Sequence, residues 1–96
     1  MTTANGGGER TLRHHDAVIS DRVDGIPMLC HTETAEFFQL NDTGGLIWDL
    51  SDGRTVPEIV EALCARYPGA DGTRIAGLVQ DYVLVLENQG LLRAAD

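Results

Sequence analysis

The sequence predicts a small α+β domain: a three-stranded antiparallel sheet followed by three helices. Three observations carry that reading. Residues 17–40 alternate β-forming side chains with turn residues, two later segments open on helix-capping side chains, and residues 72–89 repeat apolar positions at helical spacing. At 96 residues and 43% apolar content, the chain has material for one domain with a single modest core.

Met1 to His15 is polar and glycine-rich, with the run Gly6-Gly7-Gly8 and hardly any apolar side chain to offset the entropy of ordering it. A disordered tail is expected over residues 1–15, and the folded domain over residues 16–96. His14 and His15 end the tail, and His31 lies further on. Adjacent histidines lack a helical ligand spacing and have no Cys or carboxylate framework around them, so solvated side chains and no metal site are expected.

Val18, Ile19 and Val23 begin the extended region, and Asp24-Gly25 separates them from Ile26-Pro27-Met28-Leu29-Cys30. Asp-Gly is a strong two-residue hairpin signal, because both turn positions need positive φ. Pro27 cannot donate to a ladder, so it belongs near a strand start or where its missing N–H meets no neighbour. Thr32-Glu33-Thr34 turns the chain into a third strand, Glu36 to Leu40, with Phe38 and Leu40 on one face and Phe37 and Gln39 on the other. A meander of this kind leaves its last strand at an edge unless something covers it.

Asn41 is placed to cap a first helix carrying Leu46, Ile47, Trp48 and Leu50. Ser51-Asp52-Gly53-Arg54 breaks that helix. Thr55 with Glu58 is a capping box for a second, Pro57 falls harmlessly in its first turn, and Ile59, Val60, Leu63, Cys64 and Tyr67 form its apolar face. The third helix runs from Gly72 or Thr73 to Gln89. Gly90 is its expected left-handed terminator, with Leu91 folding back on Leu86.

On a helical wheel, Ile75, Val79, Tyr82 and Leu86 centre the core-facing stripe of the third helix, flanked by Leu78, Val85 and Val83. Leu84 lies almost opposite. Two readings stand for the wide apolar surface: a second element or a partner covers part of it, or Leu84 is a single exposed leucine of the ordinary kind. Gly44 and Gly45 also leave two readings, close approach of another backbone or cheap tolerance of Gly in a first turn.

Fifteen acidic residues against seven basic ones give a net charge of -8, and every basic residue is Arg. Nucleic acid and anionic membrane both reward positive charge, so neither is an expected partner; a basic or apolar peptide fits better. No apolar run approaches the length of a membrane span. Cys30 and Cys64 form no CxxC pair and no secretory signal is evident, which favours free buried thiols and a soluble, cytoplasmic protein over a disulfide. No Ser/His/Asp or Cys/His set has a plausible spacing, so an enzyme is not expected and no cofactor is implied.

Three strands followed by three helices outline a winged helix-turn-helix-like domain. The run Leu40-Asn41-Asp42-Thr43-Gly44-Gly45-Leu46-Ile47-Trp48 also resembles the PqqD-like family. So do Asp52-Gly53-Arg54-Thr55, Glu58-Ile59, Asp81 and the ending Leu86-Glu87-Asn88-Gln89-Gly90-Leu91-Leu92. The resemblance covers about Ala17 to Arg93. Its L-N-x-T-G-x-x-I-W form looks closer to stand-alone recognition proteins of lasso-peptide and related pathways than to the pyrroloquinoline-quinone member.

The resemblance implies a non-catalytic recognition element over residues 16–96 that binds the leader of a ribosomally made precursor peptide. The leader adds as a strand to the third strand and lies against the third helix, with alternate side chains entering pockets. Carried onto this sequence, the implied peptide-binding residues are Ala35, Glu36, Phe37, Phe38 and Gln39, facing Arg74, Leu78, Asp81 and Val85. Asp81 is either a partner for a basic leader residue or a solvated carboxylate. Implied further partners are modifying enzymes acting in trans, such as a leader peptidase, a cyclase or a radical enzyme. The alternative function is a winged-helix DNA-binding regulator, whose third helix would offer Arg74 alone against Asp81 and Glu87.

Overall fold

In the computed structural model, which describes residues 10–95, the chain runs through five strands and three helices. These are β1 (Thr11–His14), β2 (Val18–Val23), β3 (Ile26–His31), β4 (Glu36–Gln39), α1 (Asp42–Leu50), α2 (Val56–Arg66), α3 (Gly72–Asn88) and β5 (Leu92–Ala95). The expected meander is the three-stranded antiparallel sheet β2-β3-β4. Asp24 and Gly25 take φ of 53° and 81° between the paired Val23 and Ile26, the geometry of a type I′ hairpin turn.

The first two helices start where their caps predict. Asn41 Oδ1 accepts from Gly44 N at 2.6 Å, and Thr55 with Glu58 forms a reciprocal capping box. Asp71, a cap not anticipated, accepts from Thr73 N at 2.9 Å. At the end of α3, Gly90 has φ 76°, its N–H donates to Glu87 O, and Leu91 N–H donates to Leu86 O at 2.9 Å. That is a Schellman closure, and Leu86 and Leu91 are both buried beneath it.

The expected tail is corrected over its last residues. Thr11–His14 is a strand paired antiparallel with β5, residue 12 opposite 94 and 14 opposite 92. Its other edge is bonded too, Leu12 N–H to Arg54 O at 2.8 Å and Gly53 N–H to Leu12 O at 2.7 Å. Leu12, the one large apolar side chain of that segment, is 3% exposed and joins the core. Burial of Leu12 and pairing on both sides supply what the local composition lacks. The remainder of the expected tail, residues 1–9, lies outside the described residues.

The histidines are corrected as well. His31 is buried, and His14 stacks on Trp48 with ring centroids 3.5 Å apart and planes 4° from parallel. His14 Nε2 sits 2.7 Å from the Trp48 carbonyl, to which it donates in the Nε2–H tautomer. The core holds Leu12, Leu29, Leu40, Ile47, Trp48, Ile59, Leu63, Ile75, Val79, Val83, Leu86, Leu91 and Leu92. Val83 rather than Tyr82 completes the buried stripe of α3, and Tyr82 sits half-buried at its margin. Tyr67 ends α2 largely exposed, and Cys30 and Cys64 are free and half-buried.

Candidate peptide-binding site

β4 is the last strand of its sheet, and its outer edge meets no other strand among the described residues. The register fixes which backbone groups face outward. Leu40 N–H donates to Pro27 O at 2.9 Å, and Phe38 and Glu36 lie opposite Leu29 and His31 in the same alternation. Antiparallel pairs alternate between bonded and non-bonded, so the Leu40 N–H and the backbone groups of Phe38 and Glu36 face β3, with the Glu36 N–H also donating to Thr34 Oγ1 at 3.3 Å. Phe37 and Gln39 then direct N–H and C=O away from the sheet. Pro27, at the start of the central strand, accepts that bond from Leu40 and has no N–H to return.

Beside this edge is a cavity of about 350 Å³ lined by Phe37, Phe38, Gln39, Leu40, Tyr82, Val85, Leu86, Gln89 and Leu91. Its lining is mainly apolar. Phe37 is 71% exposed and Val85 52%, and they line the same cavity, so their exposed surfaces form one apolar patch rather than scattered single side chains. The structure thus brings together Phe37, Phe38, Gln39 and Val85 of the expected set. Arg74 and Leu78 line a separate cavity of about 390 Å³ with Ala70, Asp71 and Ile75, one to three turns towards the start of α3. Ala35, Glu36 and Asp81 are exposed and line neither of these cavities. Leu84 is exposed and lies outside the groove, whereas Val85 lines it.

Tyr82 and Gln89 were not anticipated. The signal was available, since 82, 85, 86 and 89 share one helical face, but the wheel assigned Tyr82 to the core. The Tyr82 phenol is pushed up from its ordinary pKa because burial disfavours the phenolate. A Cβ on Gly44 would overlap the Tyr82 hydroxyl, and one on Gly45 would stand 2.6 Å from Pro27 Cγ. The expected approach of another backbone is corrected here: what comes close is two side-chain rings, Tyr82 at Gly44 and Pro27 at Gly45. The missing side chain at position 44 is what lets the Tyr82 ring of α3 lie against α1.

A family model described as coenzyme PQQ synthesis protein D (PqqD) matches residues 28–92, which include β4 and all three helices. The chain belongs to the PqqD family. Two solved structures resemble this PqqD-family chain over most of its length. TbiB1, solved in complex with the TbiA(beta) leader peptide, is 33% identical and superposes with a TM-score of 0.77, covering 88% of this chain and 98% of that one. A lasso peptide synthetase B1 complexed with the leader peptide shares the fold at 24% identity and a TM-score of 0.75, with 86% and 98% covered. A search of curated proteins gives no match. Among the described residues, no helix is long and apolar enough to cross a membrane.

Proposed function

We propose that this chain binds the leader of a ribosomally synthesised precursor peptide by strand addition to β4 and presents it, without catalysis of its own, to modifying enzymes. The observation that carries the reading is the open β4 edge beside an apolar cavity. An added strand bonds to Phe37 and Gln39 through the backbone, and every second side chain drops towards Tyr82 and Val85. Backbone bonds give register and much of the affinity. The cavity gives specificity.

Ala35, Glu36 and Phe38 support the edge rather than bond to the leader. Arg74, Leu78 and Asp81 extend the contact along α3, with Asp81 placed to meet a basic leader residue. Both structural relatives were solved with leader peptides, and the L-N-x-T-G-x-x-I-W form of residues 40–48 leans this reading towards a lasso-peptide rather than a quinone-cofactor pathway. A leader peptidase or cyclase would then act in trans, in the cytoplasm. DNA binding draws no support from these relatives or from an α3 surface that sets Arg74 against Asp81 and Glu87.

An NMR titration with the cognate leader peptide tests the proposal. The amides of Phe37 and Gln39 are expected to shift most within β4, accompanied by Tyr82, Val85 and Gln89. Shifts confined to the β1–β5 ribbon or to α2 refute it.

A further inference from the structure

His15, His31 and Glu33 come from two turns that the sequence keeps apart. His15 follows β1, His31 ends β3, and Glu33 lies in the turn that leads into β4. The two turns are tied together, with Thr32 N–H and Oγ1 both donating to Ala17 O at 2.8 and 2.7 Å, while His15 N–H is held by Leu91 O at 2.9 Å beyond the end of α3. As a result, one donor atom from each of the three side chains lies within 4.8 Å of the others. The His15 and His31 ring centroids are 4.9 Å apart at 41°.

We propose that His15, His31 and Glu33 form a binding site for Zn²⁺. Two imidazoles and one carboxylate make a nitrogen-rich set that suits zinc and does not suit calcium or magnesium, which favour oxygen. His31 is 6% exposed, so its ring is fixed by packing, whereas Glu33 is exposed and His15 half-buried, so both can turn towards it. Zinc–nitrogen and zinc–oxygen bonds of about 2.1 Å in a tetrahedron set ligand atoms roughly 3.4 Å apart. The set therefore closes by an ångström or so on loading. A water completes the tetrahedron.

Loading has a specific signature. His15 Nδ1 accepts Ala17 N–H at 3.0 Å, and His31 Nδ1 accepts Glu33 N–H at 3.3 Å. Ligation at Nδ1 takes the lone pair that now accepts, and ligation at Nε2 moves the ring proton onto Nδ1. Either way both backbone N–H bonds are released. The loss is small, since one of them is already stretched.

Isothermal titration of the full chain with ZnCl₂, cysteines kept reduced by a phosphine, is expected to show one equivalent bound. His15→Gln and Glu33→Ala should each weaken it tenfold or more, and the Ala17 and Glu33 amides should shift on zinc addition. Saturating zinc should raise the melting temperature of the wild type by about 3 °C or more, and of each variant by less. His15 and Glu33 are varied, rather than the buried His31, so that the fold survives. Absence of zinc binding overturns the proposal. So does binding that either variant leaves intact, or shifts that gather at His14, Cys30 or Cys64 instead.

Discussion

Proline at position 37 separates the outward edge of β4 from the ladder beneath it. Phe37 N–H faces away from β3, so Phe37→Pro removes a donor that only an incoming strand uses. Phe38 N–H faces Leu29, so Phe38→Pro breaks the sheet itself. Alanine at each position is the reference that removes the ring without touching the backbone. A peptide carbonyl left without its donor costs about 1–3 kcal/mol, so Phe37→Pro should bind the leader roughly 5- to 150-fold more weakly than Phe37→Ala. Its urea midpoint should stay close to that of Phe37→Ala. Phe38→Pro should lose a similar 1–3 kcal/mol, but of folding stability relative to Phe38→Ala. Fluorescence anisotropy of a labelled cognate leader and urea unfolding by circular dichroism measure the two quantities. If Phe37→Pro binds as well as Phe37→Ala, the leader does not use this edge. If it unfolds as readily as Phe38→Pro, the assigned alternation is wrong.

Gly44→Ala places a Cβ on the Tyr82 hydroxyl; overpacking should destabilise the fold by about 1–3 kcal/mol despite the better helix propensity of Ala. Urea unfolding of Gly44→Ala with and without Tyr82→Leu should show the two changes to be non-additive, and simple additivity would contradict the contact. Arg13 and Arg93 stand directly opposite in the β1–β5 ribbon, so Arg13→Glu should stabilise by about 0.2–1 kcal/mol, an effect that fades in high salt. The Tyr82 phenol titrates higher folded than unfolded, so its contribution is complete below the ordinary tyrosine range and is lost as pH rises through the folded value. Urea midpoints above pH 9 should therefore fall more steeply for the wild type than for Tyr82→Phe, with no lysine in the chain to add its own titration.

Local signals in the chain were strong wherever a residue acts on its neighbours. Asn41, the Thr55 and Glu58 pair, Asp24-Gly25 and Gly90-Leu91 each satisfy backbone groups within a few residues, so their chemistry can be read from spacing alone. The alternation of Phe37 to Leu40 was legible for the same reason. The ribbon was not, because Leu12 finds its partners at positions 54 and 94, and nothing in a polar, glycine-rich segment announces a strand so distant. The candidate groove was half legible. Its β4 half follows from strand order, whereas its α3 half depends on how far the helix rolls about its axis, which put Val83 inside and turned Tyr82 out to the groove.

By itself, then, the sequence determined the three-stranded meander with an edge at its last strand, the three helices with their Asn41, Thr55 and Gly90 signals, and the family to which the chain belongs, but not the β1–β5 ribbon. The tertiary structure alone decided which backbone groups of that edge point outward, which face of α3 meets it, and that His15, His31 and Glu33 converge. The physical reason is range. Capping, turns and side-chain alternation are set by contacts a few residues long, while register parity, helix roll and the meeting of two turns are set by packing between segments far apart in the chain.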